Sequence, residues 1–312
     1  MTDIICGVDV SSKTLDARIG RDGPVGRFAN DPDGIEALTG FCRAHGVGLV
    51  AMEATGGYEK QPFALLWARG IPAAIVNPRA VRRFAEGMGL LEKTDRIDAG
   101  VIAWYAEVKR IKPCEPAGEA QEHLEALVTR LRQLTDIKTA QLNQRRLVSD
   151  PTVLRGVEEM LALITRQIRE LECEITERID QDPLWRKLDE TFRTLKGVAN
   201  RTVARLMADL PEIGTLSGKA IAKLVGLAPI ANDSGRRTGK RPVRGGRSTV
   251  RAILFVVAEI VRRYEPDFAA FHKRLSAAGK PKKVIRTALA HKLLVRLNAK
   301  ARDARRELQT AA

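Results

Sequence analysis

The spacing of hydrophobic residues changes twice along this chain, and each spacing is typical of a different secondary structure. In the first part, short apolar runs such as IICGVDV (4–10) alternate with segments of helical spacing, which predicts an α/β sheet with helices on its faces. Between residues 121 and 179, Leu, Ile and Val recur at steps of three and four, which predicts an antiparallel coiled-coil hairpin. The remainder has mostly helical spacing. We therefore predict an α/β domain at 1–112, the hairpin at 113–190 and a helical domain at 191–312.

The predicted sheet begins with a hairpin of two strands joined through residues 11–13. Pro78 is expected to end its last strand, because proline has no backbone N–H to donate. The strands are predicted at 4–10, 14–20, 47–55 and 73–77, and the helices at 31–45, 58–69 and 95–109.

Two features distinguish the helical domain. Segment 195–214 has a helix between two glycine turns and resembles a helix–hairpin–helix element, whose turn amides can face a DNA phosphate. Segment 228–248 is rich in Gly, Pro and Arg and is predicted to be irregular, with helices following at 249–263 and 280–302. The nearly neutral coiled coil before this domain fits a spacer or a dimerisation arm, and an ordinary helical hairpin within a globular domain fits the same spacing.

The formal net charge of +15 is concentrated in the last third of the chain. Residues 1–110 hold 14 Lys and Arg against 14 Asp and Glu, residues 111–195 hold 13 against 16, and residues 196–312 hold 26 against 8, a local excess of 18. This segregation favours a nucleic-acid partner, because each neutralised phosphate releases counterions. A basic surface that only aids solubility is the alternative.

Cysteine spacing and hydropathy exclude several other classes. The four cysteines are widely spaced, so we expect neither a zinc site nor a disulfide framework. No apolar run reaches the roughly 20 residues that span a bilayer, and the N-terminus has no secretion signal. We expect a cytoplasmic protein that has no membrane partner.

Carboxylates of the neutral first part form one candidate site. Asp9 interrupts an apolar strand, where a buried carboxylate needs a partner such as a metal ion. Glu53 ends another strand, where α/β sheets place ligands, and Asp95 and Asp98 share one face of a helix. Together these acids match a two-metal phosphodiester site that holds Mg²⁺, or Mn²⁺ in its place.

Each of these acids also has an ordinary explanation. Asp9 could lie on the exposed face of an edge strand, and Glu53 could cap the turn that follows it. Asp95 and Asp98 lie in a helix first turn, where the helix dipole favours acids.

Ser234 is the second candidate, in the segment ANDSGRRTGK. It needs an exposed hydroxyl and nearby cations to attack a phosphodiester, and no acid occurs between residues 235 and 258. No histidine lies nearby in sequence, so the base would have to come from elsewhere. An Asx-type turn between Asp233 and Ser234 is the competing interpretation. The predicted phosphate contacts are Arg236, Arg237, Lys240, Arg241 and Arg247.

Several other residues are weaker candidates. Thr55 and Tyr58 could contact substrate or serve helix entry and packing, and Lys93 could meet a phosphate or be simply solvated. The last helix is predicted to offer basic residues to RNA or DNA and to pack through an apolar stripe. The basic residues are Lys282, Lys283, Arg286, Lys292 and Arg296, and the stripe is Val284, Ala288, Leu293 and Leu297.

Four segments of the sequence together resemble those of a known family. GVDVSSK, MEATGGY and KTDRIDA are similar, in order, to the three acidic motifs of the Piv-related DEDD transposases of the insertion-sequence 110 and 1111 groups, and GLAPIANDSG is similar to their serine segment. The resemblance implies a RuvC-like, RNase-H-like domain, a coiled coil and a helical domain that carries the serine. It implies that Asp9, Glu53, Asp95 and Asp98 bind metal and that Ser234 forms a covalent phosphoserine with DNA.

The same resemblance implies partners that the residues alone do not indicate. A non-coding bridge RNA would pair with donor and target DNA, so that base pairing supplies much of the sequence specificity. Dimers that assemble into a tetramer would let the serine of one subunit complete the acidic site of another. Two alternatives remain: a RuvC-like nuclease of branched DNA that uses water and no serine, and a non-catalytic nucleic-acid-binding scaffold.

Overall fold

The computed structural model describes residues 4–90, 95–235 and 239–311; at 95–98 and at 311 it describes the backbone alone. The chain divides into two compact units, Met1–Ala117 and Gly118–Ala312. The first unit is an α/β sheet and the second is helical. Among the described helices, none is long and apolar enough to cross a membrane.

The first unit is built on one mixed sheet in the order β3-β2-β1-β4-β5. Strands β1, β2 and β3 form an antiparallel meander, and β4 and β5 run parallel to β1. This order, with its single reversed strand beside β1, is that of the RNase-H-like fold, so the predicted fold is confirmed. The strands are β1 (Ile4–Val10), β2 (Thr14–Ile19), β3 (Val25–Ala29), β4 (Val47–Glu53) and β5 (Ala73–Val76).

Helices cover both faces of the sheet. One face packs Cys6, Val8 and Met52 against α1 (Pro32–Ala44) and α2 (Lys60–Ala68). The other packs Ala51 and Val76 against α3 (Pro78–Gly87) and α4 (Asp95–Lys109). Burial of both faces makes β1 and β4 central strands, which excludes an edge-strand position for Asp9.

Two elements of this unit differ from the sequence prediction. Strand β3 was not expected, because it is an edge strand whose residues are all exposed or half-exposed. Helix α3 also differs from the prediction, in which Pro78 only ends a strand. Pro78 also begins α3, and the Asn77 side chain before it accepts hydrogen bonds from Arg79 N and Ala80 N.

The second unit begins with the predicted hairpin. Helices α5 (Glu119–Arg145) and α6 (Pro151–Gln181) are antiparallel, as the pairs His123–Glu174 and Arg145–Glu158 show. Buried residues of α5 end at Leu134, and those of α6 begin at Ile164. The half of the hairpin nearest its tip is therefore outside the core.

The remaining helices share one core with the base of the hairpin. Helix α12 crosses this core and contacts four other helices. The helices are α7 (Pro183–Arg193), α8 (Asn200–Asp209), α9 (Gly218–Val225), α10 (Ser248–Tyr264), α11 (Pro266–Ala277) and α12 (Lys282–Ala311). Of these helices, α8, α10 and α12 were predicted from the sequence, and α7, α9 and α11 were not.

Both glycine turns that flank α8 are present, and both are used for close packing. Gly197 and Gly214 have φ values of 102° and 87°. A Cβ at Gly197 would lie 3.1 Å from Val261 N on α10, and one at Gly214 would lie 2.8 Å from the Ala301 carbonyl carbon on α12. These contacts give both turns a packing role that accounts for their glycines.

Candidate functional site

Asp9 and Glu53 lie at the carboxyl ends of neighbouring parallel strands. In the ladder between β1 and β4, Gly7 pairs with Ala51 and Val8 pairs with Met52, and the next step places Asp9 beside Glu53. Side chains alternate across a strand, so both carboxylates lie on the face of Gly7 and Ala51, which α4 covers. Both residues are half-buried. The register thus brings two of the four predicted acids together.

Helix α4 approaches β1 closely because the strand residue that faces it, Gly7, has no side chain. A Cβ atom at Gly7 would lie 2.0 Å from the Ala99 carbonyl oxygen. After α4 the chain reaches the amino end of β5, where Cys114 N–H donates to the Ala73 carbonyl at 3.1 Å. Helix α4 therefore runs from the carboxyl edge of the sheet to its amino edge.

This direction places the backbone of the first turn of α4 toward the edge that holds Asp9 and Glu53. Asp95 begins the helix and Asp98 follows within its first turn. The side chains of Asp95 and Asp98 lie outside the described residues, as does Lys93. Among the side chains that are described, no three His, Cys, Asp or Glu residues form a group that could hold a metal ion. The four-acid site therefore stays a prediction.

A further acid, Asp16, lies beside Asp9 and was missed by the sequence analysis. The hairpin register pairs Asp9 directly with Asp16 on β2, so the two side chains share a face of the sheet. Asp16 forms an ion pair with Arg27 of β3 at 3.5 Å. Counting outward from the predicted turn at 11–13 would pair Asp9 with Leu15, so this neighbour is found only from the observed register, in which Val10 pairs with Leu15.

Hydrogen bonds from Asn30 link the turns that follow Asp9 and Glu53. Asn30 Nδ2 donates to the Ser11 carbonyl at 2.8 Å and to the Tyr58 carbonyl at 3.3 Å. The carboxylate of buried Glu59 accepts from Thr55 N at 2.9 Å and from Gly57 N at 2.8 Å. These bonds fix the backbone around the carboxyl edge and leave the Tyr58 side chain 53% exposed beside it.

A cleft lined by arginines adjoins Glu53. It has a volume of about 570 Å³, and its walls include Glu53, Val101 and the α3 residues Arg79, Arg82 and Arg83. Arg82 bonds Glu86 at 3.1 Å, whereas Arg79 and Arg83 are exposed and have no ion pair with a carboxylate in the described part of the chain. An anion next to Glu53 would find two available guanidinium groups there.

Ser234 is exposed in the irregular segment between α9 and α10. We name residues 228–247 the serine loop. The Asp233 carboxylate accepts from Gly239 N at 3.1 Å and from Arg241 Nη2 at 3.0 Å. An Asx turn would instead bond Asp233 to the amide two residues ahead. Asp233 therefore closes a wider loop, and the serine hydroxyl lies on its surface.

The predicted phosphate contacts of the serine loop differ in their surroundings. Arg236 and Arg237 lie outside the described residues, and Lys240 is exposed. Arg247 makes a two-point ion pair with Glu212, with both N–O distances at 2.5 Å, and donates to the Asp209 carbonyl at 3.0 Å. This guanidinium fastens the end of the loop to the turn after α8.

The basic residues of α12 also separate into two groups. Lys282, Lys283 and Arg286 are exposed near the start of the helix. Lys292 and Arg296 instead form ion pairs with Asp267 of α11, so both hold the two helices together. Arg286 also forms an ion pair with Glu259 of α10 at 3.7 Å, so of these five residues Lys282 and Lys283 offer charge to a nucleic acid without first breaking a helix–helix contact.

Comparisons with known proteins match two parts of this chain to transposase family models. Residues 6–149 match an IS110-type DEDD model described as "Transposase", and residues 189–273 match a model described as "Transposase IS116/IS110/IS902 family". The pilin gene-inverting proteins of Moraxella bovis and Moraxella lacunata are each 26% identical to this chain over 313 aligned positions, which cover 94% of this chain and 94% of the relative. The Thermus thermophilus RuvC structure is 15% identical, with a TM-score of 0.26, over 36% of this chain and 99% of that chain.

Proposed function

Because this chain belongs to the IS110 family of DEDD transposases, we propose that it cuts and rejoins DNA through a covalent bond between Ser234 and a DNA phosphate. Mg²⁺ held by acids of the first unit would assist this reaction. The pilin gene-inverting proteins that it resembles are named for the inversion of a gene, which is a reaction that needs both cutting and rejoining.

The observation that carries the proposal is the register that sets Asp9 beside Glu53 at one edge of the sheet. Two carboxylates on the same face provide hard oxygen ligands, which suit Mg²⁺ or Mn²⁺. The backbone of α4 begins at the same edge, so Asp95 and Asp98 are proposed to complete the ligand set. When bound, the metal would supply electrostatic stabilisation of a phosphate under attack.

The serine loop supplies the groups that the covalent step needs. Ser234 Oγ would attack phosphorus and lose its proton, while the bond from phosphorus to a deoxyribose oxygen breaks and that oxygen takes up a proton. The reverse reaction on a new hydroxyl rejoins the strand without an external energy source. Lys240, with Arg236 and Arg237, is proposed to neutralise the phosphate, because hydrogen bonds between cationic side chains and a phosphate are stronger than those between neutral groups. Arg241 and Arg247 are proposed to hold the loop in shape.

The arginine cleft is proposed to position the DNA strand at the acids. Arg79 and Arg83 lie beside Glu53, and neither has a carboxylate partner among the described residues. A phosphate one or two positions from the reacting one would contact them. Such contacts set the register of a strand and carry no sequence information.

The hairpin is proposed to join copies of the chain into a homo-oligomer. Toward its tip, Leu147 is 87% exposed, Val153 55% and Met160 47%. Apolar side chains exposed together on a hairpin indicate a surface that a partner covers. In a dimer or tetramer built in this way, Ser234 of one subunit would act with the acids of another.

A non-coding bridge RNA is proposed as the source of target choice. The excess of 18 positive charges over residues 196–312 is suited to a nucleic-acid backbone of either kind. RNA that purifies with the protein can be sequenced and compared with the DNA that flanks the gene. Recovery of one structured flanking transcript would support the guide, and recovery of unrelated cellular RNA would contradict it.

The chemistry is tested by trapping the DNA–protein adduct. Full-length protein is incubated with the flanking DNA, the co-purified RNA and Mg²⁺, and then separated on a denaturing gel. Ser234→Ala should abolish the adduct and keep DNA binding. The matched control is Ser248→Ala, in the same basic segment at the start of α10. Asp9→Asn should abolish both the adduct and the response to Mg²⁺.

Two outcomes would favour the other functions. Cleavage to free ends by Ser234→Ala would indicate a nuclease that uses water. Unchanged recombination by both Asp9→Asn and Glu53→Gln would indicate that the acids are structural and that the protein acts as a nucleic-acid-binding scaffold.

A further inference from the structure

A large cavity opens in the second unit between the serine loop, α11 and α12. Its volume is about 880 Å³, within the range of roughly 300–1,000 Å³ that is typical of small-ligand pockets. Apolar side chains form most of its wall, among them Phe271 of α11 and Pro242 of the serine loop. The cavity is separate from the arginine cleft and uses none of the predicted metal ligands.

One stripe of α12 faces this cavity and is not needed for the core. Val284, Ala288, His291 and Val295 recur at helical spacing along the cavity wall. Val284 is 51% exposed, whereas Leu293 of the same helix is fully buried. The residues predicted to form one apolar stripe therefore lie on two faces of the helix. Leu293 and Leu297 pack in the core, and Val284 and Ala288 line the cavity.

The charged side chains that line the cavity are all Lys or Arg among the described residues. Four of the lining residues are Lys or Arg, and no carboxylate is among the described residues that line it. Arg241 and Lys292 are bonded to Asp233 and Asp267, but Lys283 and Arg274 have no carboxylate partner in the part of the chain that the structure describes. The cavity therefore combines an apolar floor with a cationic rim that can accept an anion.

We propose that this cavity binds an unstacked nucleotide of the nucleic-acid strand brought to Ser234. The base would pack on Phe271, Ala288 and His291, and a flanking phosphate would meet Lys283. Burial lowers the pKa of His291, so its ring is neutral at neutral pH and can stack on a base. Aromatic side chains beside cations are the usual means of holding single strands.

The location of the cavity favours a nucleotide over other anions with an apolar part. Arg241 lines the cavity, and its guanidinium bonds Asp233, the neighbour of Ser234. A strand attacked by Ser234 would therefore pass close to the cavity. This inference rests on the proposed function, since that function brings a strand to the loop. An acidic helix of a second protein copy is the competing occupant.

Binding of fluorescein-labelled DNA to the full-length protein tests the proposal. Single-stranded DNA and a duplex of the same sequence are titrated by anisotropy. Val284→Glu and Ala288→Phe should each raise the Kd for the single strand by about tenfold, the value expected for loss of one stacked base. The Kd for the duplex should change by less than about twofold, since the paired bases of a duplex cannot enter the cavity and a single added charge has only a small effect on backbone binding. Val256→Glu is the control, because it adds the same charge at a 59% exposed valine of α10 outside the cavity.

Val284 is half-exposed, so its variant keeps the test valid if Ala288→Phe fails to fold. Wild-type affinity for the single strand in Val284→Glu would overturn the proposal. A change in oligomeric mass with unchanged single-strand affinity would also overturn it, in favour of a protein occupant. Failure of the proposed function gives a different result: wild-type protein would form no Ser234 adduct, whether or not the cavity variants lose affinity.

Discussion

The backbone of Gly7 lies directly under that of Ala99, and this contact sets the distance between β1 and α4. A Cβ atom at Gly7 would be 2.0 Å from the Ala99 carbonyl oxygen and 2.6 Å from Ala103 N. Strand β1 carries Asp9, and α4 begins at Asp95. The same contact therefore sets the separation of two elements that hold predicted metal ligands.

Gly7→Ala should displace α4 and impair both folding and catalysis. The added methyl group meets backbone atoms, which cannot rotate away, so we expect a loss of stability of about 1–3 kcal/mol in urea denaturation. Adduct formation should fall more than the folded fraction does. Gly40→Ala is the control, because no atom lies within 4 Å of a Cβ at this helical position, and it should be neutral or stabilising by up to about 1 kcal/mol. Wild-type stability and activity in Gly7→Ala would contradict the packing argument.

The arginine cleft predicts a specific effect on the salt dependence of DNA binding. If Arg79 and Arg83 each neutralise one phosphate, the double variant to Gln should reduce the slope of log Kobs against log salt by about 2. Adduct formation should fall even at saturating DNA, because the strand would no longer be aligned with Glu53. Arg110→Gln, at the opposite end of α4, should change neither quantity. An unchanged slope in the double variant would remove the cleft from the DNA-binding surface.

Variants of the ion pair between Arg247 and Glu212 can distinguish two roles for this arginine, holding the serine loop and binding phosphate. If Arg247 mainly fastens the serine loop, Arg247→Gln and Glu212→Gln should lower adduct formation to a similar degree, and the double variant should be no worse than either single variant. Each single variant should also lose about 1 kcal/mol of stability, as expected for a two-point, half-exposed pair. If Arg247 instead binds phosphate, Glu212→Gln would keep its DNA affinity and Arg247→Gln would not.

Strong local patterns in the sequence were sufficient to predict much of this fold. The apolar run of β1 and the heptad of α5 and α6 each repeat over many residues, so their type was clear. The missed elements lack such a pattern. Strand β3 has no buried face, and α3 follows an Asn-Pro pair that can either end a strand or cap a helix.

The candidate site could be predicted only in part for the same reason. Asp9 and Glu53 stand out in sequence because each is an acid in an apolar strand. Asp16 is found only from the observed hairpin register, which differs by one residue from the one that the predicted turn at 11–13 gives. Arg79 and Arg83 become candidates only when α3 is known to lie beside Glu53. Contacts that depend on the placement of a whole helix carry no local signature in the sequence.

The exposed tip of the hairpin predicts that self-association can be abolished without unfolding the protein. Met160 and Leu163 of α6 are 47% and 45% exposed. Both lie on the tip side of Ile164, which is the first buried residue of this helix. Changing both to Asp removes apolar area from an oligomer interface and adds charge there, whereas in a monomer the same changes meet mostly water. Light scattering should therefore report a monomer for the double variant and a dimer or tetramer for the wild type, at equal thermal stability.

Val108→Asp, at a 52% exposed valine of α4, should keep the wild-type mass. A double variant that retains the wild-type mass would place the interface elsewhere. If it becomes monomeric and still forms the Ser234 adduct, the acids and the serine act within a single subunit, and assembly serves only to pair DNA ends.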